Sequence, residues 1–181
     1  MTVWRALAVG FLLAVMVGAP AAGQGQPTQR KVLDLVAKVD DLTTKITDIQ
    51  GNVSVEQSPK QVEVTLAADV LFEFNKADLD PSAQAKLTDT ANLIKTQAKG
   101  PVKIDGYTDA VGDDAYNVDL SNRRAAAVQQ ALTQLIRGTS IQFVTAGRGK
   151  ADPVAANTNP DGSDNPTGRA RNRRVTITFS K

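Results

Sequence analysis

The sequence predicts an α+β protein, an α/β sandwich in which helices cover one face of a sheet. Two observations predict it. Apolar residues alternate with polar ones at Val62/Val64/Leu66, Val102/Ile104/Gly106 and Val175/Ile177/Phe179, the period of half-buried strands. Between them, Leu87/Ala91/Ile94 and Leu120/Val128/Leu132/Leu135 recur at helical spacing. The resulting order, β-α-β-α-β-loop-β, suits one compact domain with its helices on one side.

The rest of the 181-residue chain is appendage. Hydrophobic residues make up 41% and charged residues 22%, too polar for a multi-span membrane protein. The net charge of +2 gives no general attraction to nucleic acid or anionic lipid. There is no Cys and no His, which excludes Cys/His zinc sites, thiol nucleophiles, His-based triads, disulfides and a lipid-modified N-terminal Cys.

The elements follow in order. A basic start at Met1–Arg5, an apolar run at Ala6–Val17 and small residues at Gly18–Gly23 read as a secretory signal peptide over residues 1–23. The alternative is an uncleaved anchor. Ala6–Ala22 just reaches the lower limit of a spanning helix, but only by counting Gly and Pro. Residues 24–51 read as a Gly/Gln/Pro spacer followed by a helical arm. Val32, Leu35, Val39, Leu42, Ile46 and Ile49 are spaced 3, 4, 3, 4, 3, an a/d seam. The seam either joins a second copy through residues 30–50 or docks on its own domain.

From residue 52 onward the chain reads as the domain. Val53/Val55 and Val62/Val64/Leu66 are two strands around a Gln57–Lys60 turn, and Val70–Phe74 continues across a bulge. Asp80-Pro81 reads as N-cap and first helical residue of a helix that Gly100-Pro101 stops. After the strand at Val102–Tyr107, Asp113-Asp114 opens a second helix that ends at Gly138. Ile141–Ala146 is a further strand, Lys150–Gly168 a long polar loop, and Val175–Phe179 the last strand.

One residue breaks the pattern. Arg124 stands four residues after Leu120 and four before Val128, in line with the apolar stripe. A guanidinium there must reach an edge or meet an anion. The strand before this helix ends in Thr108-Asp109, which puts Asp109 close by. Two readings follow: a structural Asp109–Arg124 salt bridge, or a split pocket in which each charge awaits its opposite on a zwitterionic ligand.

At this point the residues match a known pattern. Gly106-Tyr107-Thr108-Asp109, then Gly112, Tyr116-Asn117, Leu120-Ser121, Arg124-Ala125 and Val128, fit GxTD…G…YN..LS..RA..V. Gly168-Arg169 and Asn172-Arg173-Arg174-Val175 fit a closing GR..NRRV, and Leu71–Asn75 fits its opening strand. Over Gln61–Lys181 the sequence resembles the OmpA-like C-terminal domain, found also in the peptidoglycan-associated lipoprotein and the flagellar stator. The resemblance implies a β-α-β-α-β-β fold with a mixed sheet. It also implies non-catalytic, cofactor-free binding of peptidoglycan through the diaminopimelate side chain of its stem peptide. Carried over, Asp109 would hold the ligand's ammonium and Arg124 its carboxylate, with Asn75, Thr108, Asn117 and Arg173 lining the pocket. That division suits a fork-shaped guanidinium facing a carboxylate. Together with the secretory leader it implies a periplasmic location, in association with the outer membrane, with peptidoglycan and an outer-membrane or envelope protein as the expected partners.

There are departures. Tyr107 stands where the family has His, and period two would put it on the same side of the strand as Asp109. No Cys follows the leader and no run of barrel strands precedes the domain, so the expected member is a secreted one with a helical arm. Three other readings are weaker. Asp105, Asp109, Asp113 and Asp114 suggest hydrolytic carboxylates, but the last two are better helix caps and no nucleophile accompanies them. Asn157–Asp164 partly resembles a calcium loop without its closing Glu. Arg169–Arg174 is a basic run, but secretion and the small net charge argue against nucleic acid. The competing function is an envelope adaptor acting through the arm, with the globular domain as scaffold.

Overall fold

The computed structural model describes residues 43–48, 51–73 and 75–181. Its elements are β1 (Thr44–Thr47), β2 (Val53–Gln57), β3 (Gln61–Ala67), α1 (Ala83–Gln97), β4 (Lys99–Tyr107), α2 (Asp114–Leu135), β5 (Phe143–Gly147), α3 (Pro166–Asn172) and β6 (Arg174–Ser180). Among the described residues the strands form one sheet of six in the order β1-β2-β3-β6-β4-β5. Only β4 and β5 pair in parallel, bridged by α2, as a parallel pair requires a long crossover. The other pairs are antiparallel, so the sheet is mixed.

The alternation sorts the strands into an inner and an outer face. Val62, Val64, Leu66, Val102, Ile104, Val175, Ile177 and Phe179 are buried in one cluster with Leu87, Ala91 and Ile94 of α1 and Val128 and Leu132 of α2. Both long helices therefore cover the same side. Ile104 is fully buried at the centre of this layer. Ile104→Ala is expected to cost about 2–5 kcal/mol, read as a lower urea midpoint with an unchanged slope. Replacing the exposed Lys103 next to it with alanine should leave the midpoint where it is.

Local chemistry places the ends. Asp113 caps α2, its carboxylate accepting from Tyr116 N at 2.7 Å. The turn between β2 and β3 closes through Ser58 N donating to Gln61 O at 2.9 Å. α1 begins at Ala83, later than Asp80-Pro81 suggests. Asp80 forms the preceding turn, accepting from Ser82 N at 2.7 Å. The loop expected over Lys150–Gly168 ends in α3. Asn165 caps that helix by accepting from Gly168 N at 2.9 Å, and Pro166 stands at its start. The Asn-Pro pair was a helix signal in plain sight.

Two expectations are corrected. Thr44–Thr47 is not the last turn of a helical arm but a strand paired with β2, with Ile46 opposite Val55. Asp48 turns the chain, its Oδ1 accepting from Asn52 N at 2.6 Å and Val53 N at 3.2 Å, with Gly51 at φ +72°. β-branched Thr44, Ile46 and Thr47 suit a pleated edge, and the open edge of β2 supplies backbone partners that outweigh the heptad spacing. The rest of the expected arm, with the leader, lies outside the described residues. The second correction concerns the continuation expected over Val70–Phe74, whose described residues do not extend β3. Ala68–Val70 is a single 3-10 turn, and Ala68 N donates to Arg173 O at 2.9 Å as the chain rounds the sheet's end. Leu71 and Phe72 then enter the core.

Candidate functional site

The segment after β4, the N-terminal half of α2, the chain that follows β3 and α3 with its C-terminal cap Arg173 meet around a cavity of about 280 Å³. Asn75, Thr108, Asp109, Asn117, Arg124 and Arg173 all line it, so the six residues singled out in the sequence come together. It also takes in Asp69, Arg169 and Tyr116, which that set of six omits.

Each side chain has a structural reason for its place. Thr108 N donates to Gly149 O at 2.8 Å, which ties the end of β4 to the loop after β5. Thr108 Oγ1 donates to Asp109 O at 3.0 Å. Asn117 Nδ2 donates to Val111 O at 2.9 Å and so shapes the loop into α2. Tyr116 donates its hydroxyl to Asn75 Oδ1, and Asn75 sits at φ +61°. That left-handed conformation is one Asn tolerates better than most residues.

The charges do not pair as the salt-bridge reading expects. Asp109 meets Arg173, whose Nη1 donates to Oδ2 at 2.9 Å, while Oδ1 accepts from Val111 N at 3.0 Å. Arg169 Nη1 stands 3.7 Å from the same Oδ2. Arg173 in turn is held by Asp69 with both ends of its fork, at 3.0 and 2.6 Å. This hydrogen bonding, chiefly from Asp69, raises the Arg173 pKa above its usual value. Arg169 has its own bidentate partner in Asp164, at 2.8 and 2.6 Å.

Arg124 is the exception. It is 4% exposed, and its Nε donates to Lys76 O at 2.9 Å. Its guanidinium carbon lies 5.2 Å from the centre of the Phe72 ring. Among the described residues no carboxylate forms a salt bridge with it. Burial lowers its pKa from the usual value, opposed by the charges of Asp69 and Asp109. A buried cation held by a carbonyl and a ring on the wall of a cavity has the chemistry to receive an anion.

Tyr107 is not on the pocket side. β4 ends at Tyr107, so its period does not extend to Asp109, and Thr108 and Asp109 are both buried in the turn that follows. Tyr107 lies on the outer face beside its register partner Arg174, whose guanidinium carbon is 3.7 Å from the ring centre. The residue that departs from the family pattern is therefore absent from the cavity wall.

The sequence model described as the OmpA family matches residues 71–167, more than half of the chain. The chain belongs to the OmpA family. Over 120 residues it is 41% identical to the chlorophyll a apoprotein A2 of photosystem I in Gloeobacter violaceus, a match covering 66% of this chain and 14% of that one. It is 36% identical over 132 residues to outer membrane protein A of Bordetella avium, covering 69% of this chain and 64% of that one. The chain thus spans a small part of the first relative and under two thirds of the second. Among solved structures it is similar to the cell wall anchor of the T6SS from Pseudomonas aeruginosa. That likeness has 28% identity and a TM-score of 0.59, and covers 86% of this chain and 98% of that one. No helix among the described residues is long and apolar enough to cross a membrane. The OmpA-family match runs from residue 71 to residue 167, so it includes Asp109 and Arg124 but neither Asp69 nor Arg173.

Proposed function

We propose that this OmpA-family domain binds cell-wall peptidoglycan non-covalently, through the zwitterionic end of the diaminopimelate side chain, and so links the envelope to the wall. The observation that carries the reading is Arg124, a buried guanidinium with no carboxylate partner among the described residues, in one cavity with the Asp109 carboxylate. Diaminopimelate ends in a carbon bearing an ammonium and a carboxylate. Arg124 takes the carboxylate. Asp109 takes the ammonium, since a carboxylate offers about four lone-pair directions and Val111 N and Arg173 Nη1 fill two. Asn75, Thr108 and Asn117 supply polar rim contacts. The similar cell wall anchor from Pseudomonas aeruginosa and the outer-membrane relative support the wall as partner and the periplasm as location.

The test is co-sedimentation with purified diaminopimelate-type sacculi, followed by calorimetric titration of a diaminopimelate stem peptide. Wild type should pellet and free diaminopimelate should compete. A hydrogen bond to a charged group contributes about 1.5–3 kcal/mol, so Asp109→Ala should weaken binding by roughly ten- to a hundredfold. A folded Asp109→Ala protein with unchanged affinity would sink the assignment.

A further inference from the structure

We propose that Asp69 and Asp164 are specificity-determining counter-ions, which balance the charges of Arg173 and Arg169 so that, among the described residues, the charge of Arg124 and that of Asp109 are left in excess for the ligand. This rests on reading the cavity as a diaminopimelate site. Three guanidinium groups and two carboxylates line the cavity. Uncompensated, that excess of positive charge would favour any carboxylate and oppose an ammonium. The geometry removes the excess in a particular way. Arg173 gives Nε and Nη2 to Asp69 at 3.0 and 2.6 Å and spares only Nη1 for Asp109. Arg169 gives Nε and Nη2 to Asp164 at 2.8 and 2.6 Å and leaves Nη1 at 3.7 Å from Asp109. Each of these arginines is a bidentate pair first and a support for Asp109 second. One cation and one anion remain, the charges of a zwitterion.

Asp69 contributes from a distance in sequence. It lies 104 residues from Arg173, outside the GxTD and NRRV patterns. Without its charge, Arg173 is released to Asp109 and the cavity gains one positive charge. The ammonium then loses its partner while the carboxylate end is held as well or better. Asp69 is therefore a positioning residue, acting through Arg173, and its loss should change which ligand is preferred.

The experiment titrates two stem peptides into wild type, Asp69→Asn and Asp164→Asn. One carries diaminopimelate, the other 2-aminopimelate, which keeps the distal carboxylate and lacks the distal amine. Asp69 is half exposed, so the isosteric Asn should leave the fold intact, checked by the melting midpoint. Wild type should prefer the diaminopimelate peptide. In Asp69→Asn that preference should fall by about tenfold, with 2-aminopimelate bound as tightly as by wild type or tighter. Asp164→Asn should shift the preference the same way and less, because its arginine stands farther from Asp109. The shift should shrink at high salt. Equal weakening of both peptides, or no change in either, overturns the counter-ion role while leaving the diaminopimelate site standing. Wild type that binds neither peptide removes the site and this proposal with it.

Discussion

Arg124→Ala is expected to erase the distinction between diaminopimelate-type and lysine-type cell wall. Lysine-type stem peptides keep the side-chain amine and lack the distal carboxylate, so they offer nothing to a guanidinium. Wild type should therefore bind them poorly, and the variant should bind both wall types equally weakly. The loss on diaminopimelate peptide should be roughly ten- to a hundredfold, from about 1.5–3 kcal/mol for a charge-assisted hydrogen bond. Arg124→Lys should recover little. Lysine keeps the charge but not the fork, and it cannot also donate to Lys76 O as the Nε does now. The Arg124→Ala and Asp109→Ala losses should not add, since both residues hold one ligand group. Calorimetry with both peptides on these three variants and on the Arg124→Ala/Asp109→Ala double variant settles it, and retained discrimination in folded Arg124→Ala would contradict the assignment.

Gly106→Ala should damage fold and site together. A Cβ built on Gly106 would meet Ser121 O, a backbone atom of α2, at 2.3 Å. β4 and α2 touch backbone to backbone here, so one methyl group forces them apart. Overpacking of this kind costs about 1–3 kcal/mol, sometimes more, and should appear as a lower thermal midpoint. Ser121 precedes Arg124 by about one turn, and Gly106, next to the end of β4, leads into the turn that carries Asp109. The displacement therefore moves the two clamp residues relative to each other. The folded fraction should bind diaminopimelate peptide more weakly than wild type, even at a temperature where both are fully native. Native-like stability in Gly106→Ala would show that the helix can shift without cost.

Several elements were legible because their cause is local. Alternation identified β2, β3, β4 and β6, since each turns its alternate apolar residues onto the core. Helical spacing identified α1 and α2, and Asp113 marked the start of α2 because a cap acts over a single turn. Arg124 stood out because a charge in an apolar stripe is anomalous whatever the fold. The Asn165-Pro166 start of α3 is equally local, but the polar stretch around it carries no apolar stripe to mark a helix.

The strand at Thr44–Thr47 shows where local spacing is insufficient. Ile46 fits both a heptad seam and an alternating edge strand, and the choice depends on β2 being available beside it. Tyr107 shows the same limit at a strand end, where the period stops with the last ladder hydrogen bond.

By itself the sequence determined the order of the elements, the face each one buries and the two charges at the centre of the site. Tertiary structure decided which charge meets which. Asp109 pairs with Arg173 and not Arg124, and Asp69 is brought to Arg173 across 104 residues. The reason is range. Periodicity and caps act over a few residues along the chain, whereas an ion pair depends on distances between elements, which exist only once the sheet has ordered β3, β6 and β4 side by side.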